Sequence, residues 1–518
     1  MNTWTRRRVL QAAAATGGAA LSPLRALAQN LAPTLLRAPK QALVIGNSRY
    51  QRAPLQNPGN DARGMEGALK ATGFDVVLGL DLGQSAMSEL IRAYVERLAR
   101  TKAVGLFYFA GHGTQLAWRN YIVPLDAEIT SVDFIKDRCI DINTLIAGIR
   151  KAGNPMNVII LDACRDNPFG SQVQIDQKGL SQLDAPPGTF LAYATAPGNT
   201  AIDGEGANGL YTEHLLREIK VPEAKIEDVF KRVRLSVRRG SKGLQIPWES
   251  TSLEEDFWFV PPKALKKLVE AEIEREFQVE VALWEKIKSA IQPGPLEDYL
   301  RRYPNGRFSE LAQLQLDRAL VKMGEKKIET VSAPKNPYSK GTAKANTVFA
   351  IGDRYTYRIF DLNTRQELRR LTQTVTDVTH DRVIINKSAV CDLLGNPIES
   401  QKERVFSTDR QFYVSEYSVG KKWTTRFEGT GTKGQKLSYD YDFKVVAREH
   451  KTVPAGTFDA YKVIGLGYSS AGATLQRVYW MVPDKVSRPI AIEFISTNRS
   501  GDTYRSDGEE LISYSQLR

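Results

Sequence analysis

The residues best suited to chemistry are one histidine and one cysteine, each placed directly after an apolar, strand-like run. His112 follows the run 106–110 and stands between two glycines, and Cys164 follows the run 158–161 and the dipeptide Asp162-Ala163, 52 positions beyond the histidine. An imidazole beside a thiol can take its proton, and the thiolate is a strong nucleophile toward a carbonyl carbon. The same imidazole can then protonate a leaving amine. The pair therefore predicts amide hydrolysis with Cys164 as nucleophile and His112 as general base.

Such a reaction passes through a tetrahedral intermediate whose oxyanion needs backbone donors. The N–H groups of Gly113 and of Cys164 itself are the candidates. Simpler interpretations stay open for each residue alone, since a single cysteine after an apolar strand is usually a small core residue and a histidine between glycines is usually a turn residue. The joint occurrence of the two at strand ends favours the catalytic interpretation.

The elements that must position this pair follow from hydrophobic periodicity. Between residues 40 and 260, strand-like and helix-like patterns alternate, which predicts an α/β domain with a mostly parallel sheet flanked by helices. Functional groups in such sheets gather beyond the carboxyl ends of the strands, so distant residues can meet there. The predicted strands are 42–45, 74–78, 104–109, 158–161 and 190–194, and the predicted helices are 61–71, 87–99, 211–219 and 226–237.

The 518 residues are too many for one hydrophobic core, and the pattern changes after residue 260. Residues 263–324 predict a small all-α module with helices 263–291, 296–303 and 308–323, the first of them ended by Pro293-Gly-Pro295. Residues 325–345, rich in Lys, Pro, Ser and Ala, predict a linker. Period-two alternation in residues 346–518 predicts a C-terminal antiparallel β domain with strands at 354–359, 382–385, 412–417, 458–463 and 478–481.

Four motifs in order resemble those of bacterial caspase-like and metacaspase-like peptidases. They are Phe109-Ala-Gly-His112-Gly, Asp162-Ala-Cys164-Arg, Tyr193-Ala-Thr-Ala-Pro-Gly198 and Gln245-Ile-Pro-Trp-Glu-Ser-Thr-Ser-Leu253. The roughly 50-residue spacing of the catalytic pair is also that of caspases. The resemblance covers about residues 40–260 and implies a caspase-like fold and a cysteine endopeptidase. One departure is Ala110, because metacaspases often have serine at that position.

The same resemblance directs attention to the pocket for the residue before the cleaved bond, called S1. Caspases read aspartate there with two arginines and a glutamine, whereas the matching positions here include Asp162 and Asp203, and Asp61 matches an acid of the metacaspase pocket. Carboxylates repel an acidic side chain, so we expect cleavage after Arg or Lys, with Arg favoured through bidentate pairing. Asp61 has an alternative interpretation as a helix N-cap, and Asp203 as a turn residue.

Further expectations concern processing, cofactors and partners. The loop 171–187 holds one basic residue, Lys178, so any self-cleavage is predicted to follow it. No cofactor is expected, because the three cysteines and four histidines lack zinc-site spacing; the sequence has no dense acidic loop and leaves calcium dependence open. A polypeptide is the expected substrate, and residues 263–518 are a candidate surface for a protein partner. Basic residues are interspersed with acidic ones, which argues against nucleic-acid binding.

Residues 1–28 have the three parts of an export signal: a basic start, an apolar stretch and an Ala-x-Ala end at Ala28. Thr5-Arg-Arg-Arg-Val-Leu10 resembles a twin-arginine signal, which implies a bacterial protein exported to the periplasm or secreted. The apolar stretch is short, so a membrane anchor is the weaker interpretation, and no later run is long enough to span a bilayer. Removal of the segment lowers the net charge from +12 to about +8.

A second function class also fits the sequence. The chain is alternatively a catalytically silent caspase-like scaffold that binds protein or cell-envelope partners through its helical and β domains. The presence of both Cys164 and His112 argues against it. A serine hydrolase is not supported, because no Gly-x-Ser-x-Gly motif occurs.

Overall fold

The computed structural model describes residues 35–163, 168–170, 173, 175, 179–197, 199, 206–263, 270–325, 336–400, 404–405, 409–430 and 435–517. The predicted export signal, Cys164, Lys178 and Asp203 lie outside these residues. The chain forms two compact units. The first runs to residue 181 and includes 185–233 and 247–264, and the second comprises 182–184, 234–246 and 265–518.

The first unit is built on a six-stranded, mostly parallel sheet. Its strands are β1 (Lys40–Gly46), β2 (Asp75–Leu80), β3 (Val104–Ala110), β7 (Asn157–Asp162), β8 (Thr189–Tyr193) and β9 (Trp248–Thr251), in the spatial order β2-β1-β3-β7-β8-β9. Only β9 pairs antiparallel. A three-stranded sheet contains β4 (Gly113–Leu116), β5 (Arg119–Ile122) and β6 (Ile140–Asp141). The helices that alternate with the strands are α1 (Pro58–Ala71), α2 (Gln84–Thr101), α3 (Phe134–Arg138), α4 (Ile142–Ala152), α5 (Leu210–Glu218) and α6 (Ile226–Gly240), of which residues 226–233 belong to this unit.

The sequence of β3 explains its central place. All seven residues of Val104–Ala110 are buried, as expected for a strand covered on both faces. It pairs in parallel with β1 on one side and with β7 on the other. The predicted α/β fold class, with a mostly parallel sheet flanked by helices, is confirmed. The small sheet β4–β6 was not predicted, because its strands are only two to four residues long.

The chain order of the strands places a topological switch point between β1 and β3. From β1 the chain moves outward to β2, and it then returns to place β3 on the other side of β1. The chain therefore leaves β1 and β3 in opposite directions at their carboxyl ends, and ligands of open α/β sheets bind at such points. His112 follows β3 at this point, and the loop 47–57 follows β1.

Helix α1 packs tightly on the end of β1. A Cβ atom on Gly46 would collide with the carbonyl of Pro58 and the side chain of Ala62, so only glycine permits this approach. The helix begins at Pro58, three residues before the predicted start, with Asn57 at the N-cap position. Asp61 therefore lies inside the first turn, and its alternative interpretation as the N-cap is wrong.

The second unit begins with three helices, α7 (Glu270–Ile287), α8 (Pro293–Arg302) and α9 (Ser309–Lys322). They confirm the predicted all-α character of this stretch, with one difference at residues 293–295. The sequence predicts that these prolines end a helix, whereas Pro293 begins α8. Proline suits the first turn of a helix because the N–H it lacks has no intrahelical acceptor there.

The rest of the second unit is antiparallel β structure, as predicted. Its strands are β10 (Thr342–Lys344), β11 (Arg354–Asp361), β12 (Glu367–Val378), β13 (Arg382–Ile385), β14 (Ala389–Asp392), β15 (Pro397–Ser400), β16 (Arg404–Val405), β17 (Glu416–Ser418), β18 (Lys422–Thr430), β19 (Lys436–Val453), β20 (Gly456–Ser469), β21 (Thr474–Met481), β22 (Ala491–Thr497) and β23 (Thr503–Ser515). Twelve of them form one sheet in the order β16-β15-β14-β13-β12-β11-β23-β22-β21-β20-β19-β18, and β10 pairs separately with β17.

Two local predictions differ from this arrangement. The segment predicted as a linker contains β10, because its backbone pairs with residues 416–418. The predicted strand 412–417 is strand only from Glu416, since the preceding residues belong to a loop buried against the sheet.

Helices and sheet share one hydrophobic core in this unit. Trp284 stacks on Phe308 with ring centroids 5.5 Å apart, and both belong to a cluster that includes Phe412 and Phe443. Glu310 of α9 also pairs with Lys421 at 2.9 Å. The region predicted as a helical module and the β region therefore form one compact unit. Within the described part of the chain, no helix combines the length and hydrophobicity required to cross a bilayer.

Candidate active site

His112 is held at the carboxyl end of β3 by three hydrogen bonds. Its backbone N–H donates to the hydroxyl of Tyr50 at 3.1 Å, and its carbonyl accepts from the N–H of Val123 at 2.9 Å. Its ring Nε2 lies 2.7 Å from the carbonyl oxygen of Ala53. The side chain is 3% exposed, so neither the backbone nor the ring is free to turn.

The partner of Nε2 determines the tautomer of the neutral imidazole. A carbonyl oxygen only accepts hydrogen bonds, so Nε2 must carry the hydrogen. Nδ1 of His112 is then the basic nitrogen and the atom able to take a proton. If Nδ1 becomes protonated, the same carbonyl stabilises the positive charge through its dipole.

The loop after β1 supplies both groups that hold the imidazole. The Tyr50 ring lies against the His112 ring with centroids 4.4 Å apart, and its hydroxyl donates to the carbonyl of Val123 at 3.0 Å. Ala53 presents its carbonyl from a left-handed backbone conformation with φ of 52°. A residue with a Cβ pays about 1 kcal/mol or more for that conformation. The surrounding loop therefore maintains a strained backbone where it contacts the candidate base.

The histidine loop lies directly against the end of β7. The N–H of Gly111 donates to the carbonyl of Asp162 at 3.3 Å. A Cβ atom on Gly113 would come within 2.5 Å of the carbonyl oxygen of Ala163, so only glycine allows this approach. Ala163 is the residue before Cys164, and consecutive Cα atoms are about 3.8 Å apart. The described residues thus bring the histidine loop to the last residue before the predicted nucleophile, which itself lies outside them.

Two of the three predicted S1 acids are described, and each is held by specific donors. Asp162 ends β7, and its Oδ2 accepts a hydrogen bond from the hydroxyl of Thr212 at 2.7 Å. Asp61, 3% exposed in α1, accepts at Oδ1 from Asn208 Nδ2 at 2.9 Å and from the N–H of Gly209 at 3.0 Å. Donors of this kind offset part of the cost of burying a carboxylate.

A buried tyrosine connects the surroundings of the two acids. Tyr108 of β3 is fully buried, and its hydroxyl lies 2.7 Å from the hydroxyl of Thr212. Burial raises the pKa of Tyr108 well above its usual value, and the charges of Asp162 and Asp61 raise it further. Asn208 and Gly209, which donate to Asp61, stand three to four residues before Thr212, which donates to Asp162, so both carboxylates lie beside segment 208–212.

The other two cysteines are unsuited to nucleophilic chemistry. Cys139 and Cys391 are free and buried. Burial raises the pKa of the Cys139 thiol to about 12, so that thiol stays protonated at neutral pH. In the described part of the chain, no group of three or more His, Cys, Asp or Glu side chains is arranged to hold a metal ion.

The structure brings together His112, Gly113, Asp162 and Asp61 at the edge formed by β1, β3 and β7. Sequence reasoning did not identify three of the groups that hold them: Tyr50, Ala53 and Thr212. Tyr50 and Ala53 lie in a loop without periodicity, and the functional atom of Ala53 belongs to the backbone. Thr212 lies 50 residues after the acid it contacts, so no local pattern indicates the hydrogen bond.

Comparisons with known proteins agree with the resemblance seen in the sequence. Residues 39–258 match the family model of the caspase domain. Human mucosa-associated lymphoid tissue lymphoma translocation protein 1 is 28% identical over 217 residues, which are 40% of this chain and 25% of that protein. Its mouse homologue is 29% identical over 182 residues, 34% of this chain and 21% of that protein. The chain thus covers a quarter or less of these relatives.

Among solved structures, the Drosophila initiator caspase Dronc matches with a TM-score of 0.32 and 12% identity, over 43% of this chain and 84% of that chain. The matching family model supports a caspase-like peptidase family, and a cysteine peptidase type of function, for residues 39–258.

Proposed function

We propose that this caspase-like domain is a cysteine endopeptidase that hydrolyses peptide bonds after Arg or Lys, with Cys164 as nucleophile and His112 as general base. The observation that carries the proposal is the contact of the His112 ring with a backbone carbonyl, which sets its tautomer. Its Nε2 donates to the Ala53 carbonyl at 2.7 Å, so Nδ1 is the proton acceptor, on a loop that touches the residue before Cys164.

In the proposed reaction, Nδ1 of His112 takes the thiol proton and the Cys164 sulfur attacks the carbonyl carbon of the substrate. The C–N bond then breaks as the amine takes the proton from the imidazolium, which leaves a thioester. Water hydrolyses the thioester, with the same imidazole as base. The hydrogen bond to Ala53 supports this cycle because it holds the ring in place during both proton transfers.

The oxyanion of each tetrahedral intermediate requires donors beside the attacked carbonyl. We propose the N–H groups of Gly113 and Cys164 for this role. The close approach of Gly113 to Ala163 supports the assignment, because it brings the two backbone segments together at one edge.

We propose Asp162, Asp61 and Asp203 as the acids that select a basic side chain. The support comes from Asp162 and Asp61, whose charges both act on Tyr108. A pocket with two carboxylates favours a cation, and a guanidinium gains more than an ammonium because its planar fork pairs with them in a fixed geometry.

The test is a cleavage assay on the purified full chain. The cleavage rates of fluorogenic peptides that end in Arg, Lys or Asp are measured with wild type, Cys164→Ala and His112→Ala. The proposal expects cleavage after Arg and Lys that both substitutions abolish. Equal turnover by wild type and Cys164→Ala would show a contaminant or a silent scaffold, and cleavage after Asp would refute the pocket assignment.

We further propose that residues 1–28 direct export to the bacterial periplasm or beyond, that any self-cleavage follows Lys178, and that residues 263–518 bind a protein partner. Mass spectrometry of the purified active enzyme tests the second of these. An intact bond after Lys178 in a fully active preparation would exclude processing at that residue.

A further inference from the structure

One short segment of the first unit holds both described S1 acids. Asn208 and Gly209 donate to Asp61, and Thr212, three residues later, donates to Asp162. The acids themselves come from distant parts of the chain, on α1 and at the end of β7. Segment 208–212 leads into α5: Asn208 precedes the helix, Gly209 is its N-cap residue, and Thr212 lies in its first turn.

The contact of Thr212 with Asp162 is part of a directed chain of hydroxyls. An ionised carboxylate only accepts hydrogen bonds, so the Thr212 hydroxyl donates its single hydrogen to Asp162 Oδ2, at 2.7 Å. The Tyr108 hydroxyl, 2.7 Å from the same oxygen of Thr212, is then the donor in that contact. Both Tyr108 and Thr212 are fully buried, which prevents water from replacing either hydrogen bond.

We propose that Thr212 and Asn208 are positioning residues that set the preference for arginine over lysine at S1, an inference that rests on the proposed function. Thr212 fixes Oδ2 of Asp162, and Asn208 fixes Oδ1 of Asp61. A guanidinium requires both carboxylates at set angles, whereas an ammonium is a compact charge that tolerates their rotation. Loss of either donor therefore weakens arginine recognition more than lysine recognition.

The principal variant is Thr212→Val, which keeps the shape of the side chain and removes its hydroxyl, with Thr212→Ser to restore the donor. We expect Thr212→Val to lower kcat/KM for an Arg peptide roughly tenfold, the usual effect of one hydrogen bond to a charged group. The loss for a Lys peptide should be threefold or less by the same reasoning. Thr72→Val is the matched control: it removes a threonine hydroxyl that, among the described residues, donates to the carbonyl of Leu69 away from the proposed site, and it should leave kcat/KM for both peptides unchanged.

A binding measurement separates this inference from the proposed function. Benzamidine carries an amidinium group close in shape to a guanidinium, and calorimetry gives its affinity whether or not the protein cleaves peptides. We expect Thr212→Val to weaken benzamidine binding roughly tenfold, and Thr212→Ser to bind like wild type. If wild type cleaves no peptide but binds benzamidine, and Thr212→Val weakens that binding, the proposed peptidase activity fails while the positioning role of Thr212 in cation recognition stands.

Three results would overturn the inference. They are an unchanged Arg-to-Lys ratio and benzamidine affinity in Thr212→Val, failure of Thr212→Ser to restore them, or no benzamidine binding by wild type. If Thr212→Val does not fold, as judged by its thermal transition, Asn208→Ala serves in its place. It removes the side-chain donor to Asp61 and should shift the same ratio, and an unchanged ratio there would count equally against the proposal.

Discussion

The charge of Asp162 offers the most direct test of the proposed S1 pocket. Asp162→Asn removes the charge and keeps an oxygen able to accept from Thr212, so the surrounding contacts survive. Two opposite charges 4 Å apart interact by about 4 kcal/mol at an effective dielectric constant of about 20. Asp162 is partly exposed and Asp61 remains, so we expect about 2–3 kcal/mol, or a loss of roughly 30- to 150-fold in kcat/KM for an Arg peptide.

The substrate supplies the second half of the experiment. Citrulline has nearly the shape of arginine without its charge, so a citrulline peptide reports any damage unrelated to charge. The loss of kcat/KM caused by Asp162→Asn is measured for the Arg peptide and for the citrulline peptide. The difference between the two losses isolates the electrostatic interaction of Asp162 with the substrate charge. We expect Asp162→Asn to change kcat/KM for the citrulline peptide by less than about threefold, because that peptide forms no ion pair with Asp162. Equal losses for the two peptides would show that Asp162 does not contact the charged end of the substrate, and the pocket assignment would be abandoned.

Three other predictions test the geometry and the energetics. Gly113→Ala should lower kcat about 100-fold, because its Cβ would meet the carbonyl oxygen preceding the predicted nucleophile at 2.5 Å. Gly67→Ala, whose Cβ meets nothing within 4 Å, should leave activity intact, and equal losses in the two variants would contradict this reasoning. Tyr50→Phe should lower kcat roughly tenfold at constant KM, because the N–H of the candidate base loses its acceptor. Tyr94→Phe removes a buried hydroxyl that has no hydrogen-bond partner in the described part of the chain, so activity and melting temperature should not fall, and a similar loss of activity there would refute the role of Tyr50. Burial raises the pKa of Asp392 to about 7, so between about pH 4 and 7 the folded protein keeps a proton that the unfolded chain has released. The free energy of unfolding of the wild type should therefore fall as pH rises through this range, and that of Asp392→Asn should fall less. Denaturant titrations at several pH values measure both, and an equal pH dependence in the two proteins would refute the raised pKa of Asp392.

The tertiary structure also explains why the proposed catalysis depends on a short loop. Residues 50 and 53 hold the imidazole through one side chain and one backbone carbonyl, and Ala53 does so in a left-handed conformation. Such a loop is held by the structure around it and not by its own preferences. Substitutions in loop 47–57 are therefore expected to affect the rate through the orientation of His112.

The amino-acid sequence by itself determined the α/β class of the first unit, the β class of the C-terminal region and the identity of His112 and Asp162 as candidates. The physical reason is that these features are local. An unbroken apolar run predicts a buried strand such as Val104–Ala110. The residues that follow such a strand lie at the edge formed by the carboxyl ends of the strands in any parallel sheet.

Only the tertiary structure decided which groups hold those candidates. The Ala53 carbonyl that sets the tautomer of His112 and the Thr212 hydroxyl on Asp162 come from positions 59 and 50 residues away. It also decided that the helices from Glu270 onward share a core with the sheet that follows them. Contacts of this kind depend on the packing of whole elements, and neither composition nor periodicity records which surface of one element meets another.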